Sequence, residues 1–218
     1  MTDRGLMIEI YSDVVCPWCY IGKRRLERAL AQVGRDIRTT WRPFQLNPTM
    51  PKDGMDRRTY LEAKFGSLTA FHQMEEHVLA AGAAERIPFT FEKVARTPNT
   101  FLAHRLIWHA EQQGCQDAVV ESLFRGYFTE GADIGSVPVL GQLAGRAGLD
   151  AAVVESFLHS EEGATEVKAE EAAGHRLGIR GVPYFVINGT VSISGAQPPD
   201  IFVSALRQAR ETVGKQNG

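Results

Sequence analysis

Met7-Ile8-Glu9-Ile10-Tyr11, then Ser12-Asp13-Val14-Val15, then Cys16-Pro17-Trp18-Cys19 is the stretch on which the fold turns. The first five residues are apolar, β-rich and few, as a buried strand should be. Ser12 and Asp13 supply turn chemistry. Pro17 suits a first helical position, where its missing N–H has no intrahelical partner to lose. Ile21, Leu26, Ala29, Leu30 and Val33 recur with a helical period, which assigns Lys23, Arg24, Arg25, Glu27 and Arg28 to the solvent face. Gly34 ends this helix, and Ile37 to Phe44 alternates as a second strand, completing a β-α-β unit. Two thiols in a C-x-x-C can close a disulfide when one helical turn holds them together. A helix start favours the thiolate, because free N–H groups and the macrodipole point at it. The thiolate is the species that attacks disulfides.

A C-x-x-C is also half of a zinc site, but a structural site needs four ligands. The one other cysteine is Cys115, and no second C-x-x-C or H-x-x-x-H pair exists. His72 and His77 stand five apart, a poor spacing for one helix face. No metal is expected. Cys115, after Gly114, reads as a small residue at a packing position.

The 218 residues permit one large domain or two small ones with a substantial core. A net charge of −2 and the lack of a long basic run recommend neither nucleic acid nor an anionic membrane as partner. Met-Thr-Asp-Arg-Gly at the start is short and polar, and no apolar run reaches membrane-spanning length. Three cysteines without a disulfide framework suit a reducing compartment, so the expected location is the cytoplasm.

Past the second strand, Phe44-Gln45-Leu46-Asn47-Pro48 with Pro51 and Gly54 reads as an irregular loop. Helical patterns then follow from Arg57 to His159: Thr59 to Lys64, Leu68 to Ala81 (broken off from the first by Gly66 and closed by Gly82), and Phe101 to Ala110 with Asn99 or Thr97 as cap. Val119 to Phe128, Val137 to Ala147 capped by Ser136, and Asp150 to Leu158 complete the set. Glu161 to Leu177 is a further helix with Gly178 beyond its end. Two β-rich runs, Val182 to Ile187 and Val191 to Ile193, flank Asn188-Gly189, a strong hairpin signal. A helix from Pro199 or Asp200 to about Thr212 closes the chain. The expected class is α/β, a β-α-β … α-β-β-α fold with a large inserted all-helical subdomain. Residues 1–48 and 161–218 form the discontinuous α/β part, and 49–160 the insertion.

A C-x-x-C beside such a unit resembles the thioredoxin superfamily. That superfamily places a cis-proline at the start of its third strand, facing the cysteines, and Val182-Pro183 stands at the matching point. The helical insertion resembles the DsbA family. Ser12 to Lys23, Pro98 to Thr100 with Ala103-His104-Arg105, and Ser194 to Gln197 are similar to its FrnE-type branch, dithiol–disulfide oxidoreductases or isomerases. The resemblance spans nearly the whole chain. It implies Cys16 as nucleophile and Cys19 as resolving thiol, with Pro17, Trp18, Val182 and Pro183 binding substrate and the Val182 backbone pairing with an extended segment. It implies no cofactor beyond the Cys16–Cys19 disulfide, with glutathione a candidate redox partner. The substrate is a disulfide-containing protein or a small-molecule thiol compound, and the chain a monomer or homodimer. Trp18 stands where strongly oxidising relatives carry histidine, so a less oxidising couple is expected.

Two other classes compete. One is a glutathione-dependent isomerase or transferase, because the branch is also similar to 2-hydroxychromene-2-carboxylate isomerases and kappa-class glutathione transferases. Those generally lack the first thiol and carry a Gly-x-Asp-Arg-like segment where this chain has Ser194-Gly195-Ala196-Gln197. The other is a non-catalytic redox sensor. The pair Cys16 and Cys19 favours the dithiol enzyme, since a transferase has no need of the resolving thiol. Asp13 is either a turn residue or a proton shuttle for Cys16. Asn99, Thr100 and His104 face the groove by resemblance, or cap and pack. Gln197 lines the groove or merely precedes the last helix.

Overall fold

In the segment Leu6–Ser12 (β1) the pleat buries Leu6, Ile8 and Ile10 and leaves Met7 exposed. The computed structural model describes residues 5–34 and 37–216, so the polar reading of Met1 to Arg4 lies outside the described residues. β1 pairs in parallel with Ile37–Pro43 (β2), Ile10 opposite Trp41, across the helix Pro17–Val33 (α1). On its other edge β1 pairs antiparallel with Tyr184–Ile187 (β5), which pairs with Val191–Ser194 (β6), so the sheet order is β2-β1-β5-β6. Asn188 and Gly189 take φ of 48° and 68° at the hairpin turn, where Thr190 N donates to Ile187 O at 3.1 Å. Pro199–Gln216 (α9) covers the sheet beside α1, with the Phe185 and Phe202 rings edge to face at 4.8 Å.

Between the halves of the sheet, the two-residue strands Met55–Asp56 (β3) and Arg96–Thr97 (β4) pair as a small ribbon. The ribbon packs against Arg57–Phe65 (α2), and the same stretch of chain forms Leu68–Ala84 (α3), Phe101–Gln112 (α4), Gln116–Arg125 (α5), Val137–Arg146 (α6), Ala151–His159 (α7) and Ala164–Arg176 (α8). Leu106, Leu123, Phe124, Phe128 and Leu140 of these helical segments belong to one buried cluster with Ile8, Ile10 and Phe185 of the sheet. α1 contributes to this cluster on the helical side: Tyr20 stacks on Phe124 at 5.0 Å, and Tyr20 Oη donates to Glu121 Oε1 at 2.9 Å. Gln116 completes the outer edge of β2 as a strand would, accepting from Trp41 N at 2.9 Å and donating to Trp41 O at 3.0 Å. The buried Arg105 guanidinium donates to the carbonyls of Phe157, Leu158, Ser160 and Glu162, closing the C-terminal end of α7 with a cation.

Several expectations need correcting. Lys23 is buried rather than on the solvent face, because Glu27, Asp117 (3.1 Å) and Glu121 (3.3 Å) surround its ammonium. α3 does not close at Gly82 but passes through it to Ala84. Glycine is required there by close approach, since a Cβ would lie 2.3 Å from the Phe89 ring. Ser136 occupies the N-cap position of α6 without a side-chain capping bond. Thr100 is the N-cap residue of α4, while Asn99 Oδ1 accepts from Phe101 N at 2.9 Å and Thr97 belongs to β4. α2 begins two residues earlier than its apolar pattern, because Asp56 Oδ1 accepts from Thr59 N and caps it. The last helix runs four residues past Thr212.

Candidate active site

Strand β1 delivers the chain to the site, and the turn after it is tied down before the helix starts. Asp13 O accepts from Cys16 N at 3.0 Å, and Asp13 Oδ2 accepts from Leu46 N at 2.7 Å, holding the loop after β2 against the turn. Asp13 is fully buried, with Oδ1 3.4 Å from Nε2 of the equally buried His104 on α4. It is thus a buried turn residue that also ties the turn to the loop after β2 and packs against α4.

Cys16 occupies the N-cap position of α1 with extended φ and ψ of −93° and 110°, and Pro17 follows at the first helical position. The Cys16 carbonyl accepts from Cys19 N at 3.0 Å, which brings the second cysteine one turn along. Both thiols are free. Cys19 is the more deeply buried, and burial pushes its thiol well above the usual range. A hydrogen bond with Cys16 adds to this, against smaller opposing effects of Ser12 and the Asp13 backbone.

The Cys16 thiol donates towards Val182 O at 3.7 Å, across 166 residues of sequence, and the Val182–Pro183 bond is cis. Gly22 lets α1 approach this segment: a Cβ there would stand 3.0 Å from Pro183 Cγ. Cys16, Pro17 and the exposed Trp18 also form one wall of a cavity of about 290 Å³, which Val182 and Pro183 do not line. The opposite walls carry Tyr60, Phe71, Phe91, Tyr127 and Phe128, with Arg57 and Lys64 among them. Sequence reading missed this half of the site. α2 and α3 show only ordinary helical patterning, and which of their residues meet Cys16 depends on long-range packing.

Neither Asn99, Thr100 nor His104 lines the cavity. Asn99 Nδ2 donates to Met50 O at 2.7 Å, so the residue joins two loops. Gln197 Nε2 donates to Ser194 O at 2.9 Å, folding back on its own turn. Cys115 precedes α5, packed against the main core, and burial raises its thiol. Among the described residues no group of three or more His, Cys, Asp and Glu could hold a metal, and no helix is long and apolar enough to cross a membrane.

A helix-start dithiol, one thiol touching the backbone before a cis-proline, on a mixed sheet interrupted by helices, is the arrangement of the thioredoxin-fold disulfide oxidoreductases. The model of the DSBA-like thioredoxin domain matches residues 7–207, and the chain belongs to that family. It is 30% identical over 200 residues to the uncharacterized protein YwbO of Bacillus subtilis, across 91% of this chain and 94% of that one. Among solved structures it is similar to a probable DsbA oxidoreductase of Streptomyces coelicolor, with 36% identity, a TM-score of 0.85, and coverage of 94% and 89%. The cytosolic disulfide reductase DsbM of Pseudomonas aeruginosa, solved with GSH, shares the fold at 17% identity and a TM-score of 0.64, over 96% and 98%.

Proposed function

We propose that the chain is a dithiol oxidoreductase or isomerase in which Cys16 attacks and Cys19 resolves. The observation that carries this reading is the asymmetry of the pair. Cys16 stands at the helix N-terminus, 3.7 Å from the Val182 carbonyl, while Cys19 is enclosed one turn in with its thiol held protonated by burial. The Cys16 thiolate attacks one sulfur of a substrate disulfide, and the other leaves as a thiolate that takes up a proton. Cys19 then loses its proton, displaces the substrate sulfur from Cys16 and closes the Cys16–Cys19 disulfide. The substrate is reduced by two electrons and the enzyme oxidised by two, and the reverse sequence oxidises a dithiol. An extended substrate segment beside Pro17 and Trp18 pairs with the Val182 backbone next to Pro183.

The proposal includes a cytoplasmic setting with glutathione as recycling thiol, supported by the cytosolic reductase of the same fold solved with GSH. Its test is thiol chemistry on the full chain. Cys16→Ser abolishes disulfide reduction, and Cys19→Ser accumulates a mixed disulfide at Cys16, read by mass spectrometry. A disulfide between Cys115 and either cysteine, or full activity of Cys16→Ser in a glutathione-dependent isomerase assay, overturns it.

A further inference from the structure

The cavity beside Cys16 carries chemistry that disulfide exchange alone does not call for. Its walls are mostly aromatic and aliphatic, and besides the Cys16 thiol, two tyrosines and Thr97 they carry three charged side chains: Arg57, Lys64 and Glu75. Glu75 Oε2 lies 3.1 Å from His72 Nδ1, and the lining carries two cations against one carboxylate. The Arg57 guanidinium lies over the rings of Phe91 and Phe71, at 5.4 and 5.7 Å from their centres. Lys64 Nζ donates to Tyr60 Oη at 2.6 Å and to Asn47 Oδ1 at 3.3 Å. Neither cation is within 4 Å of a carboxylate among the described residues. Elsewhere the chain pairs its half-buried cations closely. Arg25 meets Glu85 at 3.0 Å, and Arg42 meets Glu9 at 3.1 Å and Glu170 at 2.9 Å. The buried Arg105 has no carboxylate either, but four backbone carbonyls accept from it, whereas no hydrogen-bond acceptor of the Arg57 guanidinium is present among the described residues. Arg57 and the exposed Lys64 thus set two cations on an aromatic wall next to the Cys16 thiol.

We propose that this cavity is the subsite for a small-molecule disulfide with a flat aromatic body and a carboxylate. The proposal rests on the reading of Cys16 as attacking thiol. The ring lies between Trp18 and the Phe71, Phe91 and Tyr127 side of the cavity, and the carboxylate is met by Arg57 and Lys64. A volume of about 290 Å³ is of the size that takes one substituted ring. Apolar walls strip water from the anion, which strengthens its attraction to the cations. Cys16 attacks the near sulfur, the aryl thiolate leaves, and Cys19 releases the second thiol as the protein disulfide forms. Each mole of pre-reduced chain thus reduces one mole of disulfide, with no further reductant.

The test uses pre-reduced full-length protein in single turnovers with two aryl disulfides, 5,5′-dithiobis(2-nitrobenzoate) and the uncharged 4,4′-dithiodipyridine. The readout is the ratio of their rates, which cancels changes common to both. Arg57→Gln and Lys64→Gln each lower that ratio by about tenfold, the loss of one charge-assisted contact. The double variant lowers it further, and added salt weakens the preference in wild type. Lys64 is exposed, so Lys64→Gln keeps the test open should Arg57→Gln fold poorly. A second arm titrates Cys16→Ser protein with unreactive 4-nitrobenzoate by calorimetry, where saturable binding lost in Lys64→Gln is expected. Unchanged ratios in both variants with rapid exchange overturn the subsite and leave the thiol reading standing. Binding of 4-nitrobenzoate without exchange in wild type overturns the thiol reading and leaves the subsite. Exchange confined to a peptide disulfide overturns the small-molecule substrate class.

Discussion

Gly22 and Pro183 face each other with less than the ordinary room for a side chain: a Cβ at Gly22 would lie 3.0 Å from Pro183 Cγ and 3.2 Å from Phe185 Cζ. The first turns of α1, which carry both cysteines, are thereby seated on the start of β5. Gly22→Ala gains about 1 kcal/mol of helix preference and needs a shift of a few tenths of an ångström. Its stability is expected within ~1 kcal/mol of wild type. Gly22→Leu cannot be absorbed in this way, and costs about 1–3 kcal/mol by overpacking. Because it lifts α1 from β5, the rate of dithiol oxidation should fall with it. Urea unfolding and stopped-flow oxidation of the two variants check both expectations.

Gln116 supplies a second test, on the far edge of the sheet. Gln116→Leu strands the Trp41 N–H and C=O that its amide now pairs, at about 1–3 kcal/mol for each buried group. Gln116→Glu keeps the acceptor but sets an oxygen against Trp41 O. The introduced carboxyl is stabilised in its protonated form by folding, so this variant is expected to approach wild type in acid and lose stability as pH rises. Denaturant midpoints from pH 4 to 8 would show that trend, and a flat difference would remove the pairing argument.

Glu121 gives an acid limb of opposite sign. Burial pushes its carboxyl up, but Lys23 and Arg24 outweigh this and hold it below its ordinary 4.5. A group depressed in the folded state contributes stability above its unfolded value and loses it as pH falls through the folded one. Glu121→Gln is therefore expected to flatten stability against pH below about 4.5. At neutral pH it should cost about 1–3 kcal/mol, the worth of hydrogen bonds to a charged group. Lys23→Met produces the same flattening, since it removes one of the two cations that depress Glu121. Urea titrations across the acid range measure both.

Cys19 links the site to alkaline stability. Burial, the largest influence on its thiol, raises it well above the ordinary 9.0. A raised group favours folding below the unfolded value and withdraws that contribution as pH rises through the folded one. Reduced protein should therefore lose stability above about pH 8.5, and Cys19→Ala should lose less over that range. Iodoacetamide at neutral pH is expected to label Cys16 at least about tenfold faster than Cys19. Peptide mapping after short exposures separates the two.

The four strands of the main sheet and most helices could be read from local pattern, because period-two and helical repeats, Pro17 at a helix start and Asn188-Gly189 at a hairpin all act within a few residues. The β3–β4 ribbon and the pairing of β1 with β5 could not, since they join distant segments. The burial of Lys23 could not. It depends on Asp117 and Glu121, nearly a hundred residues away, and a lysine on a charged helix face looks solvent-exposed until those carboxylates arrive. Gly82 misled for a similar reason: it resembles a helix stop, but its missing side chain serves Phe89. The cysteines announced themselves by spacing. Arg57, Lys64 and the aromatic wall did not, since no local rule tells which face of α2 will meet a thiol some forty residues earlier.

The 166 residues between Cys16 and Val182 also set an order of events during synthesis. At about 5–20 residues per second, the ribosome needs roughly ten to thirty seconds after making the cysteines before it supplies the backbone that faces them. Throughout that interval the nascent chain displays two neighbouring thiols without the β5 segment that flanks them in the finished protein. Oxidants or other nascent chains can engage them then with none of the selectivity of the completed site. Slowing translation within the helical insertion should increase adducts at Cys16 and Cys19 on stalled chains, while the mature protein stays unchanged.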